Sequence, residues 1–154
     1  MGEQKSRSHF QVHWVLVQEL AIGPAPQTPE HLDQIAESGI TAVLSLCSKE
    51  EQPPPEGLEQ RFVCRRLVLP DHRSERLIEP HEVLSALDLL AELTVSGPVY
   101  VHCLAAMERS PLVCLGWLMR QRRLTLQRAL DYLMQVHPGT SPLPEQLGVL
   151  RRLI

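Results

Sequence analysis

Cys103 and Arg109 stand at the two ends of a short segment, Cys-Leu-Ala-Ala-Met-Glu-Arg, that follows Val-Tyr-Val-His and precedes Ser-Pro. A cysteine attacks as its thiolate, and a guanidinium together with a helix N-terminus favours that form. The same groups favour a bound anion. Arginine's planar fork can hold two phosphate oxygens at once, in the ground state and as charge shifts, where lysine offers only a point charge. A sulfur nucleophile beside a phosphate clamp is the chemistry these residue types permit.

The elements around the pair fit that use. Gly97 and Pro98 open a short apolar run, Val99–His102, that suits a buried strand, so Cys103 is the first residue of a loop. Ser110 and Pro111 offer an N-cap hydroxyl and a first-turn proline to the apolar segment 112–119, which predicts a helix there. Cys103, Leu104, Ala105, Ala106, Met107, Glu108 and Arg109 are then a loop between strand and helix whose N–H groups can converge on an anion.

His-Cys-x5-Arg-Ser resembles the signature of the cysteine-dependent protein tyrosine and dual-specificity phosphatases. The likeness extends over nearly the whole chain, most closely to small bacterial, particularly cyanobacterial, dual-specificity phosphatases. It implies an α/β fold with a mostly parallel central sheet flanked by helices. It also implies hydrolysis of phosphotyrosine, and of phosphoserine or phosphothreonine, on proteins through a cysteinyl-phosphate, with no metal or organic cofactor. Such a step needs a proton donor for the leaving oxygen. Asp71, in Leu69-Pro70-Asp71-His72, lies where the resembled family carries its general acid, with His72 as the second candidate. For Ser110 the resemblance implies a hydrogen bond to the departing thiolate, and for Gln146 the orientation of the hydrolytic water; a plain first-turn polar residue accounts for Gln146 equally well. His102 is expected to hold the loop rather than touch substrate.

Two residues depart from the pattern. Ala106 stands where the family usually has glycine, and a left-handed alanine costs about 1–2 kcal/mol. Glu108 places an acid beside the anion site and is expected to point away from it. They motivate a rival reading, a phosphate-binding interaction module with weak or no turnover. Arg73 and Arg76 are expected to flank the mouth and favour phosphorylated or acidic substrates.

The rest of the chain supplies the scaffold. Residues 13–22 alternate loosely and read as a hairpin; Thr28-Pro29 starts a helix with Leu32, Ile35 and Ala36 inward; residues 41–46 and 62–69 read as strands. Pro53, Pro54, Pro55 and Gly57 read as a loop. Val83, Leu84, Leu87, Leu90 and Ala91 recur at helical spacing, as do Leu126, Ala129, Leu130, Leu133 and Met134, a stripe read as core; a last helix is expected over 143–153. One domain over residues 1–154 is expected, with 1–10 as a flexible lead-in.

A net charge of −3, with basic residues dispersed, argues against nucleic-acid or anionic-membrane partners. The four cysteines form no Cys-x2-Cys pair, so a metal site is not expected, and a reducing cytoplasm fits them better than a disulfide framework. A cytoplasmic monomer acting on a phosphorylated protein or a small phosphomonoester is the expectation. Cys47 ends the 41–46 strand as Cys103 ends its own; if those strands are neighbours, Cys47 is a possible redox partner of Cys103, the alternative being a small buried hydrophobe.

Overall fold

In the computed structural model, which describes residues 10–153, a hairpin of β1 (His13–Leu16) and β2 (Leu20–Gly23) leads into α1 (Pro29–Glu37). There follow β3 (Ala42–Ser45), α2 (Leu58–Arg61), β4 (Val63–Arg66), α3 (Pro80–Thr94), β5 (Val99–His102), α4 (Arg109–Arg122), α5 (Leu126–Val136) and α6 (Pro144–Arg151). The strands form one sheet in the order β1-β2-β5-β3-β4, with β1 antiparallel to β2 and every other pairing parallel. This is the expected α/β architecture.

β2, β3 and β5 are covered on both faces and are built from small, branched and apolar residues, as central parallel strands require. Alternate side chains serve two cores. Leu20, Ile22, Leu44, Val99 and Val101 pack with α3 to α6, while Ala21, Val43 and Tyr100 pack with Leu32 and Ile35 of α1 and Leu58 of α2. Truncating a fully buried residue such as Leu44 to alanine would cost about 2–5 kcal/mol. The Thr28 hydroxyl caps α1 by accepting from the His31 N–H at 3.2 Å. Gly23 closes β2 where any side chain would collide with the Tyr100 hydroxyl, 2.2 Å from a β-carbon built there. That close approach steers residues 24–25 across the carboxyl end of β5.

Several boundaries differ from the sequence reading. Of the expected lead-in, residues 1–9 lie outside the described residues, but Phe10 is buried and stacks on His31 with ring centroids 4.0 Å apart. A short helix, α2, forms after Gly57, whose φ of +96° turns the chain out of the proline loop. β4 is shorter than 62–69 because it is an edge strand: beyond Arg66 only the Leu67 and Leu69 N–H groups still reach β3 and its exit, at Ser45 and Leu46. Val68 is therefore exposed. Ala36 of α1, at the margin of its apolar face, is exposed, as are Leu84 and Met134 in the two amphipathic helices, while α5 buries Ala129 and Leu133 with Leu126 and Leu130 half-buried against the same core.

Candidate active site

The parallel strands end together, and every chemically competent segment leaves a carboxyl end: Cys47 and Glu51 follow β3, Asp71 follows β4, and Cys103 follows β5. Ligand sites in open parallel sheets gather at that edge. Cys103 is 3% exposed, and Ala106 has φ of +60°, the left-handed value expected for a position that glycine would fill more easily. Four carbonyls of the loop are held outward. That of Cys103 accepts from His102 Nδ1 at 2.8 Å, Leu104 from the Ala25 N–H at 3.1 Å, Ala106 from His137 Nε2 at 2.7 Å, and Met107 from the Ser141 N–H at 2.8 Å. In a trans peptide the N–H points opposite its carbonyl, so the N–H groups of Leu104, Ala105, Met107 and Glu108 face the other side of the loop. They make an anion-binding concavity around Cys103.

His102 acts as the sequence suggests, from behind. It is buried on the Tyr100 side of the sheet, and burial pushes its imidazole down to about 4, so the ring is neutral. A carbonyl can only accept, so Nδ1 carries the proton, and Nε2 then accepts from the Ser45 hydroxyl at 2.7 Å.

Arg109 is the first residue of α4 and is 3% exposed. Its Nη2 donates to Glu51 Oε1 at 2.9 Å, and its Nη1 donates to Glu51 Oε2 and the Leu69 carbonyl, both at 3.2 Å. Burial works against the guanidinium's charge, but the Glu51 carboxylate more than offsets it and raises the Arg109 pKa. Burial likewise raises Glu51, and the bonds from Arg109 and the Ser48 N–H outweigh it and hold the carboxyl below its ordinary range. Sequence reasoning missed Glu51. The Ser48-x-x-Glu51 pattern was available: the Glu51 N–H donates to Ser48 Oγ at 3.1 Å and the Ser48 N–H to Glu51 Oε2 at 3.0 Å.

Residues 22–153 match the family model of the dual specificity phosphatase catalytic domain. The chain belongs to that family. Dual specificity protein phosphatase 1-B of Xenopus laevis is 29% identical over 111 residues, 71% of this chain and 28% of that protein. Dual specificity protein phosphatase 5 of Homo sapiens is 28% identical over 108 residues, 70% of this chain and 27% of that protein, so the chain spans less than a third of these relatives. Among solved structures, Tk-PTP in its active form is 25% identical with a TM-score of 0.79, over 92% of this chain and 95% of that one. The human tyrosine phosphatase-like serine/threonine/tyrosine-interacting protein shares the fold at 19% identity and a TM-score of 0.76, over 92% and 93% of the two chains.

At the mouth of this phosphatase domain, Asp71, Cys103, Glu108 and Arg109 line one cavity of about 200 Å³. Asp71 accepts from the Arg73 N–H at 2.9 Å, from its Nε at 3.0 Å and from its Nη2 at 2.8 Å. Partial burial raises the Asp71 pKa, and the Arg73 bonds outweigh that and hold it below the usual carboxylate range. Of the two arginines expected to flank the mouth, Arg73 lines the cavity while paired with Asp71, and Arg76 does not line it but forms a two-pronged pair with Glu82 at 2.8 Å for each bond. Glu108 does turn aside, toward His72 Nδ1 at 2.6 Å and Gln146 Nε2 at 3.4 Å. Gln146 Oε1 meanwhile accepts from the Leu143 N–H at 2.8 Å, the first-turn role foreseen for it.

Ser110 is not the N-cap. The helix begins two residues earlier than that cap implies, with Glu108 at the cap position, because the loop delivers Arg109 directly into the first turn, and the Ser110 hydroxyl is buried with no hydrogen-bond partner among the described residues. Cys47 lies behind the loop as its strand position suggested: β3 pairs with β5, and Cys47 Sγ is 3.5 Å from the Cys103 carbonyl oxygen. Burial raises the Cys47 thiol pKa, with Arg109 and Arg66 pulling the other way.

Proposed function

We propose that this domain hydrolyses phosphate monoesters, phosphotyrosine and phosphoserine or phosphothreonine on proteins, in two steps. Cys103 attacks phosphorus in line, a cysteinyl-phosphate forms, and Arg109 with the loop N–H groups holds the equatorial oxygens. Asp71 donates a proton to the leaving oxygen and then serves as base for the attacking water, which Gln146 orients, while the thiolate departs toward the Ser110 hydroxyl. Because Arg73 holds Asp71 ionised, the acid step requires the pair to part as substrate enters. The observation that carries this reading is the single cavity shared by the cysteine, its anion concavity, the arginine and the aspartate. No cofactor, nucleic acid or membrane enters it; the domain acts as a cytoplasmic monomer, and no helix among the described residues is long and apolar enough to cross a membrane.

The test compares wild type with Cys103→Ser and Asp71→Asn on p-nitrophenyl phosphate, an alkyl phosphate and phosphopeptides. Cys103→Ser is expected to lose all turnover, and Asp71→Asn to lose more on the alkyl ester than on p-nitrophenyl phosphate, whose leaving group needs little protonation. Turnover by Cys103→Ser would refute the mechanism. A second reading, an anion-binding module with little turnover, is favoured by the Arg73 clamp on Asp71; it requires oxyanion binding without hydrolysis in the wild type.

Cys47 completes the proposal as a resolving thiol. Peroxide oxidises the Cys103 thiolate to sulfenic acid, and the Cys47 thiol displaces water from it to give a disulfide that a dithiol reduces. In excess peroxide, inactivation should be reversible in wild type and irreversible in Cys47→Ser, where a second peroxide takes the uncaptured sulfenic acid on to sulfinic acid, with the mixed peptide found by mass spectrometry in the former alone.

A further inference from the structure

We propose that His137, braced by His13, is a positioning residue of the phosphate loop, holding the Ala106 carbonyl outward so that the Met107 N–H faces the anion. The inference rests on the phosphatase reading only in taking the bound group to be a tetrahedral oxyanion.

The two imidazoles lie outside the catalytic set and are far apart in sequence, His13 on β1 and His137 at the end of α5. His137 is buried, with Nε2 2.7 Å from the Ala106 oxygen and Nδ1 2.7 Å from His13 Nδ1. A carbonyl oxygen cannot donate, so His137 Nε2 carries its proton. Its Nδ1 in the neutral ring is then a lone pair, which the His13 Nδ1–H must fill. On its far side His13 Nε2 lies 3.0 Å from Gln11 Oε1, which accepts from a ring carrying both protons; a neutral ring with its proton on Nδ1 takes the Gln11 amide turned about, its NH2 donating to Nε2. In either state Nδ1–H stays aimed at His137. Burial, with His13 beside it, lowers the His137 pKa, consistent with a neutral ring.

The loop needs this support at this residue. Ala106 carries a Cβ at φ +60°, a backbone region that side chains disfavour. The peptide that follows is therefore the one most ready to rotate. Rotation would turn its oxygen toward the anion and its N–H away, converting a donor into a repulsive dipole. The His137 bond opposes that rotation, since breaking it would leave a buried acceptor without a partner. The same turn makes a second contact: the Ser141 N–H holds the Met107 carbonyl at 2.8 Å, and Thr140 Oγ1 ties back to the His137 carbonyl at 2.8 Å. Two successive loop carbonyls thus depend on residues 137–141.

Tungstate, an inert tetrahedral oxyanion, is the probe, titrated calorimetrically into the full chain, with iodoacetate alkylation of Cys103 at about pH 6 as a second readout. His137→Leu removes the donor and is expected to weaken tungstate binding about tenfold, the equivalent of one lost buried hydrogen bond, and to slow alkylation. His137→Gln keeps an N–H donor and is expected to recover most of the affinity. Leu133→Ala, which loosens the same helix through packing alone, should lower Tm without moving tungstate affinity. His13→Phe, which frees the His137 tautomer, should weaken binding about threefold, a fraction of that same bond. The proposal is overturned if folded His137→Leu binds tungstate like wild type, or if Leu133→Ala weakens binding as much. Should His137→Leu not fold, wild-type affinity in His13→Phe overturns it. A wild type that binds tungstate yet hydrolyses nothing would refute the phosphatase reading and leave this one standing.

Discussion

The back of the phosphate loop and its mouth are built from different interactions. Behind the loop, His102, His137, and the Ala25 and Ser141 N–H groups each hold one carbonyl; the two imidazoles are buried and neutral. At the mouth, Asp71 with Arg73 and Arg76 with Glu82 are ion pairs and His72 meets Glu108 through Nδ1, and in each the basic partner has more than half of its side chain exposed. A buried acceptor stripped of its donor costs about 1–3 kcal/mol, whereas an exposed ion pair is worth about 0–1 kcal/mol. The anion concavity is thus set before substrate arrives, while the acid loop rests on contacts weak enough to exchange. Arg109 belongs to both regions, buried like the first and paired like the second.

Arg109→Lys tests the rigid side most severely. It keeps the charge but loses the fork that meets Glu51 and that the proposed mechanism turns on the phosphate, and kcat should fall about a hundredfold or more. Near-normal steady-state turnover would mean that the clamp lies elsewhere. Glu51→Gln leaves Arg109 buried without its counter-ion and should cost about 1–3 kcal/mol, read as a lower denaturant midpoint near neutral pH. The sign with pH is fixed by Glu51's depressed pKa. Its stabilisation is fully present above the ordinary glutamate range and is lost as pH falls through the lower native value, so the gap between wild type and variant should close on acidification. A gap that widened at low pH would contradict the pairing.

The mouth should respond more mildly. Arg73→Ala removes the bonds that hold Asp71 ionised, so its carboxyl stays protonated to higher pH; the alkaline fall of kcat/KM assigned to the acid should move upward. An unmoved profile would separate Arg73 from the chemistry. Breaking the Glu108–His72 pair with Glu108→Gln should change stability by no more than about 1 kcal/mol, because His72 is exposed; a double-mutant cycle with His72→Ala measures the coupling directly. Ala106→Gly should have the smallest effect. Relief of left-handed strain offsets glycine's greater unfolded-state freedom to within about 1 kcal/mol, with turnover equal to or above wild type. A large loss of activity there would show that the methyl group itself is needed.

What could be read in the chain was local. The strand at Val99–His102, the loop after it and the helix after that follow from an apolar run, a break and a proline within fifteen residues. The central strands were legible because short runs dominated by apolar residues suit a doubly covered sheet, with Ser45 and His102 at their carboxyl ends satisfying one another. Reading Ser110 as the cap placed the helix start two residues late, because capping signals fix a helix start only loosely when a loop feeds the first turn. Met134 and Leu84 satisfied the helical period, but burial depends on what lies opposite, and both remain about half exposed. The pairing of Arg73 with Asp71 and of Arg76 with Glu82 was not legible, because those acids are told apart from others only by the path of the loop.

By itself the sequence determined where Cys103, Arg109 and the left-handed Ala106 stand, since strand, loop and helix are contiguous and their geometry follows from neighbouring residues. Tertiary structure alone decided what surrounds them. Glu51 reaches Arg109, Cys47 comes to lie behind Cys103, and His13 meets His137 only once the sheet order β1-β2-β5-β3-β4 is fixed. Each of those contacts joins side chains distant in sequence, and its strength comes from burial, which no local pattern of residues encodes.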